Sequence, residues 1–526
     1  MGEMAAMPAR ARTRPFLLVA VLAAALLAAP PARAVVCTET DPIARLYCEL
    51  GGTASILGTP VGTPYAVAGG RAQEYTAGTV YWSAATGAHE VHGWVRDTYR
   101  RLGGPTGFLG FPVTDEQAAA DGVGAFSHFQ GGSVYSTPGT GAHEVHGWIR
   151  DRWTGLGGAR GFLGYPLTDE RPTADLIGAY SHFQGGSVYS SPGTGAHEMH
   201  GAIRERWAAQ GWEGGPLGYP ITDEYPVTGG RQSDFQYGFL RWTAATGAVR
   251  TALLAPYEHA GTWVTRFRFS REYGGATPAV PPSAVDAMAD AGVRTLYLQA
   301  AADDPAHPEL LSPDLLGQFL TRAHARGLRV VAWYLPHFTD VAADLRRLRA
   351  MADFRASGQA FDAIAVDIED RTVADVPTRN ARLVDLSARL AAALPDVTLG
   401  AIVLPPVVTD VLSPAYWPDF PWRQISGYYQ VWLPMAYWTN RTAESGWRDP
   451  YRYTAENVAR VRANLGEPCA AVAVIGGYGS TVSAADHQQM ARAAADLGAI
   501  GVSVFDWTTT PAASWPPLRG YDVRGC

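Results

Sequence analysis

The chain of 526 residues contains no lysine; all 42 of its basic residues are arginine. That absence excludes a Schiff-base lysine and a P-loop lysine, and with them two large enzyme classes. Cysteine is scarce, with four copies and no Cys-x-x-Cys spacing, which argues against a zinc or dithiol redox centre. Four cysteines allow three pairings; Cys37 with Cys48 and Cys469 with Cys526 are the expected ones. Net charge is only −7, with the acids scattered, so neither nucleic acid nor an acidic tail is implied. One apolar run stands out, at 16–29, and it is short for a membrane span. Preceded by Arg10, Arg12 and Arg14 and followed by Ala32-Arg33-Ala34, it reads as a secretory signal over 1–34. The mature protein is expected to begin near Val35, to be secreted, and to have no membrane segment.

What is present is repetition. Leu57-Gly58-Thr59-Pro60 recurs as Leu109-Gly110-Phe111-Pro112, Leu163-Gly164-Tyr165-Pro166 and Leu217-Gly218-Tyr219-Pro220, the prolines 52, 54 and 54 residues apart. Three copies continue into Thr-Asp-Glu, at 114–116, 168–170 and 222–224. Each unit carries an aromatic strand, a Thr-Gly-Ala turn and, before its Leu-Gly-x-Pro, a short amphipathic helix. Self-similarity at such a period marks an array of small supersecondary units. His89-Glu90-Val91-His92 and its two later counterparts place paired histidines three residues apart. A zincin helix needs four, so hydrogen bonding between repeats is the expected role rather than metal binding. The units resemble the LGFP repeat of exported actinobacterial cell-wall proteins, over about 41–254. The resemblance implies attachment to envelope polysaccharide, peptidoglycan or arabinogalactan, without catalysis. The repeated Tyr and Trp suit two roles, stacking on sugar faces or forming each unit's core.

From 255 onward strand and helix patterns alternate. Strands are expected over 263–269, 295–299, 329–335, 363–369, 398–403, 430–437, 470–475 and 501–505, with helices between them. Capping signals stand at Ser283/Asp286 and Ser312-Pro313-Asp314. Eight such units in about 250 residues predict a (β/α)8 TIM barrel. The chain is therefore read as multidomain: signal 1–34, repeat domain 35–254, barrel 255–526, the last two abutting through a short connector.

The fourth strand matters most. Along 361–370 the side chains alternate, placing Ile364, Val366 and Ile368 on one face and Ala365, Asp367 and Glu369 on the other. Two carboxylates then share the C-terminal end of a barrel strand, where catalysis is placed in this fold. Arg266, Gln299, His337, Asp370, Tyr437, Trp438, Tyr478, Asp506 and Trp507 follow the other strand ends and would line the same mouth. The stretch is similar to the signature of family 18 glycoside hydrolases (chitinase-like), and Met435-Ala436-Tyr437 to that family's sixth strand. The resemblance implies Glu369 as general acid, Asp367 as its partner and Tyr437 as a donor in substrate-assisted cleavage of an N-acetylated polysaccharide. It departs at Ala365, where the family has aspartate, and at Ile368 and Trp438. Asp367 is expected to raise the pKa of Glu369 by like-charge proximity. No cofactor and no metal is expected. The rival class is a carbohydrate-binding or scaffold protein with a decayed barrel.

Overall fold

A computed structural model describes residues 37–307, 309–480 and 482–521. The signal expected over 1–34 and Cys526 lie outside these residues.

The N-terminal half forms four antiparallel sheets of four strands each. In the second, Gln117–Ala118, Ala125–Phe129, Gly132–Thr137 and Gly141–His146 pair in sequence order. The motif leucines Leu57, Leu109, Leu163 and Leu217 are wholly buried. The glycine after each turns the chain at positive φ, 64° at Gly110, where a Cβ would also meet the Gln130 side chain at 2.6 Å. An aromatic from the preceding helix reaches that glycine's carbonyl: Tyr47 donates to Gly58, Tyr99 to Gly110 and Trp153 to Gly164, at 2.7, 2.7 and 2.9 Å. The core role therefore takes most of the repeated aromatics, including Trp153, Trp207, Tyr165 and Tyr219. The exposed ones are different residues, Trp94 and Trp148 at helix starts and Phe108 and Phe162 in the turns.

The His-Glu-x-His and Thr-Asp-Glu motifs join one unit to the next. Asp115 accepts from the Glu90 amide at 3.1 Å, and Glu90 accepts from the Glu116 amide at 3.1 Å. His89 Nδ1 lies 3.1 Å from Asp115, and the same set recurs around His143, Glu144 and Asp169. The first disulfide joins Cys37 to Cys48 across the first helix, Pro42–Glu49. Cys469 is also disulfide-bonded.

The C-terminal half is a closed barrel of eight parallel strands. They are β1 (His259–Val264), β2 (Thr295–Gln299), β3 (Arg329–Tyr334), β4 (Ala363–Ile368), β5 (Leu399–Val403), β6 (Val431–Pro434), β7 (Ala471–Gly476) and β8 (Gly501–Val504). The main helices are α1 (Ala284–Ala291), α2 (Pro313–Ala325), α3 (Val341–Asp353), α4 (Val376–Ala393), α5 (Pro450–Leu465) and α6 (Ala484–Asp496). Two strand expectations are corrected. The first strand ends at Val264, and Arg266–Phe269 is a single helical turn, because the Arg266 amide is taken by the Gln299 side chain at 2.9 Å. The sixth ends at Pro434, whose ring removes a ladder donor.

The last repeat sheet packs on the barrel's N-terminal end. Arg250 donates to the carbonyls of Ala391 and Val397, which lead into β5. Arg241 pairs with Glu467 just before β7, at 2.7 Å. Tyr257, fully buried, donates to the Ile364 carbonyl inside the barrel at 2.8 Å. The two halves abut, and the turn that joins them, Ala255–Tyr257, enters the barrel floor.

Candidate active site

Alternation on β4 falls as the pattern predicts. Ile364, Val366 and Ile368 belong to the core between strands and helices, and Ala363 and Ala365 to the core inside the barrel. The interior is crowded by aromatics from neighbouring strands: Trp263 stacks on Tyr297 at 4.2 Å and meets Trp333 edge-on at 5.6 Å. Trp333 is the register partner of Ala365. A bulky indole thus stands next to the position where the family signature has an aspartate.

Asp367 sits above this layer, buried, and its Oδ1 has no hydrogen-bond partner among the described residues. Burial first, then the charges of Glu369 and Asp370, hold its carboxyl well above the usual carboxylate range. Glu369 is also raised, by burial first and by Asp370 second. The like-charge proximity of Asp367 and Glu369 is present as expected, and Asp370 adds a third carboxylate beside them. Tyr437, half-buried after β6, stays protonated: burial, then Asp367 and Glu369, push its hydroxyl well above the ordinary phenol value. Asp367, Glu369 and Tyr437 are therefore brought into one electrostatic neighbourhood. Tyr478, 47% exposed, and Phe505 set their rings 5.7 and 6.0 Å from Tyr437.

The other expected residues divide. Asp506 is buried near Tyr437, but its oxygens are occupied by Thr508 Oγ1 at 2.6 Å, the Thr509 amide at 3.0 Å and Arg268 at 3.4 Å. His337 stands between Asp303 and Asp370. Gln299 is engaged with the Arg266 backbone, and the Arg266 guanidinium lies 4.9 and 4.7 Å from the Phe267 and Tyr273 rings, which meet edge-on. Two tryptophans turn away from the mouth. Trp438 is 3% exposed and packs edge-on to His487 under α6, while Trp507 packs on Trp515. Beyond the strand end the two-residue period no longer governs, and both indoles face the helical layer. Sequence reasoning missed Asp303, Arg347 and Arg268, which reach the mouth from loops and a helix that carry no motif. No group of three or more metal-binding side chains occurs among the described residues.

The N-terminal half carries LGFP repeats: that family matches residues 57–107, 109–161, 163–215 and 217–262. No curated protein matches the chain. Several solved structures are similar to it. An endo-β-1,4-mannanase from Thermotoga petrophila is 11% identical, with 51% of this chain and 76% of that one covered and a TM-score of 0.38. A spore cortex-lytic enzyme from Bacillus cereus is 9% identical, with 51% and 75% covered and a TM-score of 0.39. A class V chitinase from Pseudomonas fluorescens is 12% identical, with 50% and 98% covered and a TM-score of 0.38. The barrel itself rests on its strand order, independently of these likenesses.

Proposed function

We propose that the chain is an exported glycoside hydrolase of the cell envelope, moored by its repeats to wall polysaccharide and acting on a polymer with N-acetylated sugars. The observation that carries the catalytic half is the carboxyl pair at the end of β4: buried Asp367 and half-buried Glu369, one residue past the strand, both pushed toward the protonated state. A carboxyl that keeps its proton near neutral pH can deliver it to a leaving glycosidic oxygen. Glu369, the more accessible of the two, is the donor.

A retaining enzyme also needs a nucleophile near that acid. Asp506 is the remaining buried carboxylate of the mouth, and its oxygens already have three protein partners. The sugar's own acetamido oxygen fills the role instead. It attacks the anomeric carbon as the Glu369 proton passes to the departing oxygen. Asp367 Oδ1, unoccupied by protein, accepts the amide N–H, and the Tyr437 hydroxyl donates to the amide carbonyl. Water activated by Glu369, now a carboxylate, then opens the cyclic intermediate with net retention.

Purified peptidoglycan sacculi and chitin oligosaccharides are the substrates to test, with reducing ends as the readout. Glu369→Gln is expected to lower turnover by about 10²–10⁴-fold while leaving the fold intact. Equal rates for variant and wild type remove Glu369 from the mechanism. Inversion at the product anomer, read by proton NMR, removes the acetamido route. Ala365, set against Trp333 where an aspartate would cycle the proton of Asp367, favours the rival reading of a barrel that binds sugar without cleaving it. Binding to sacculi with no reducing ends released would establish that rival.

A further inference from the structure

A string of charged groups runs from beneath β3 to the catalytic pair, and the mechanism above does not use it. Arg347 on α3, its side chain 8% exposed, bonds Asp303 at 2.7 Å and the Tyr334 hydroxyl at 3.1 Å. The other Asp303 oxygen faces His337 Nδ1 at 3.1 Å. His337 Nε2 faces Asp370 at 3.8 Å, and the second Asp370 oxygen is held by the Thr372 amide at 2.7 Å. The ring is thus set with Nδ1 toward Asp303 and Nε2 toward Asp370. Both ring nitrogens therefore face carboxylates, and the ring lies between the two acids.

We propose that His337, clamped between Asp303 and Asp370, is a positioning residue that sets the charge beside Glu369 and so the pH range over which Glu369 holds its proton. The proposal rests on the reading of Glu369 as proton donor. The other groups facing Glu369 vary little. Asp367 and Tyr437 are held neutral by burial. Asp506 is paired with Arg268, and Arg379, which faces Asp370 from α4, stacks on Trp417 at 4.2 Å and donates to the Val373 carbonyl. Asp344, near Asp303 and His337, is raised to about 6 chiefly by burial and accepts from the Tyr334 hydroxyl at 2.6 Å, and the contact left beside Glu369 is that of His337 with Asp370.

The test follows Glu369 directly, in the full chain labelled with 13C at its glutamate carboxyls, the resonance being assigned by its loss in Glu369→Gln. Asp370→Asn is expected to lower the Glu369 midpoint. His337→Gln, which leaves Asp370 unopposed, is expected to raise it, each by about 0.5–1 pH unit. Because His337 acts through Asp370, the double variant is expected to match Asp370→Asn. A midpoint unmoved in His337→Gln, moved downward, or moved equally in the Asp370→Asn background overturns the proposal. His337→Asn replaces the glutamine variant if the latter fails to fold by circular dichroism. No substrate is needed, so an inactive barrel shows as intact shifts without hydrolysis, and a wrong role for His337 as hydrolysis without shifts.

Discussion

His487 lies fully buried on α6 against Trp438, with neither ring nitrogen hydrogen-bonded among the described residues. Burial lowers its pKa from 6.5 to about 4. In the unfolded chain the ring gains a proton as pH falls through 6.5; in the folded chain it does not until about 4. The unfolded state therefore binds more protons in that window, and stability declines as pH drops, levelling below about 4. The full difference is about 3 kcal/mol. Urea unfolding at neutral pH and near pH 4.5 is expected to show the barrel of the wild type losing about 2–3 kcal/mol more than His487→Leu. Equal losses would mean that the ring finds a partner when charged. At this scale the sequence was readable where a strict period governs. Asp367 was placed by alternation alone, while Asp303 and Arg347, 44 residues apart, meet only because the loop after β2 reaches α3. Trp438 and Trp507 were misplaced for the same reason: past a strand end no period says which way an indole turns.

Elements show the same division. Ser-x-x-Asp occurs before both α1 and α6, and only the second forms a capping box, with Ser483 and Asp486 bonded reciprocally. At α1 the residue Ser283 is itself helical, with φ −64° and ψ −21°, and makes no cap bond. Asp286 there pairs with Arg322 from α2. Ser312 before α2 is in the left-handed region, with φ 41°, and its hydroxyl donates to Glu272 at 2.6 Å. A motif spaced for a cap is thus diverted wherever tertiary partners claim its groups. Ser483→Ala is expected to cost about 1 kcal/mol, and Ser283→Ala less than about 0.5 kcal/mol. Thermal unfolding of the two variants side by side checks the contrast; equal shifts would refute it. The eight strands themselves were legible because buried parallel strands are short β-branched runs between helix signals.

For the molecule as a whole, the repeat array offers two exposed indoles, Trp94 at 52% and Trp148 at 55%, in equivalent places on successive helices. Cavities of about 250 and 330 Å³ flank Trp94, one lined by Asp97 and Arg101, the other by Glu116 and Thr137. A flat apolar ring beside hydrogen-bonding groups is the surface that a sugar face fits. The third unit has Ala202 at this place, so the platforms number two. On the mooring proposal, the full chain with Trp94→Ala and Trp148→Ala is expected to co-sediment with purified wall about 10-fold less than wild type, the equivalent of about 1.4 kcal/mol. Unchanged sedimentation would exclude the indoles as the holding groups. The sequence pointed to aromatics but not to these ones, because the motif residues it highlights are those that fill each unit's interior.

The junction at the barrel floor carries a further consequence. The repeats grip the end of the barrel opposite its mouth, through Arg241, Arg250 and Tyr257. On the mooring and hydrolase proposals, the mouth lies at the end of the barrel that the array does not hold. The chain would trim what comes within a fixed radius of its mooring and could not travel along the strand that holds it. Cuts would be scattered over a patch rather than sequential along one polymer, and their density would follow the number of moored copies.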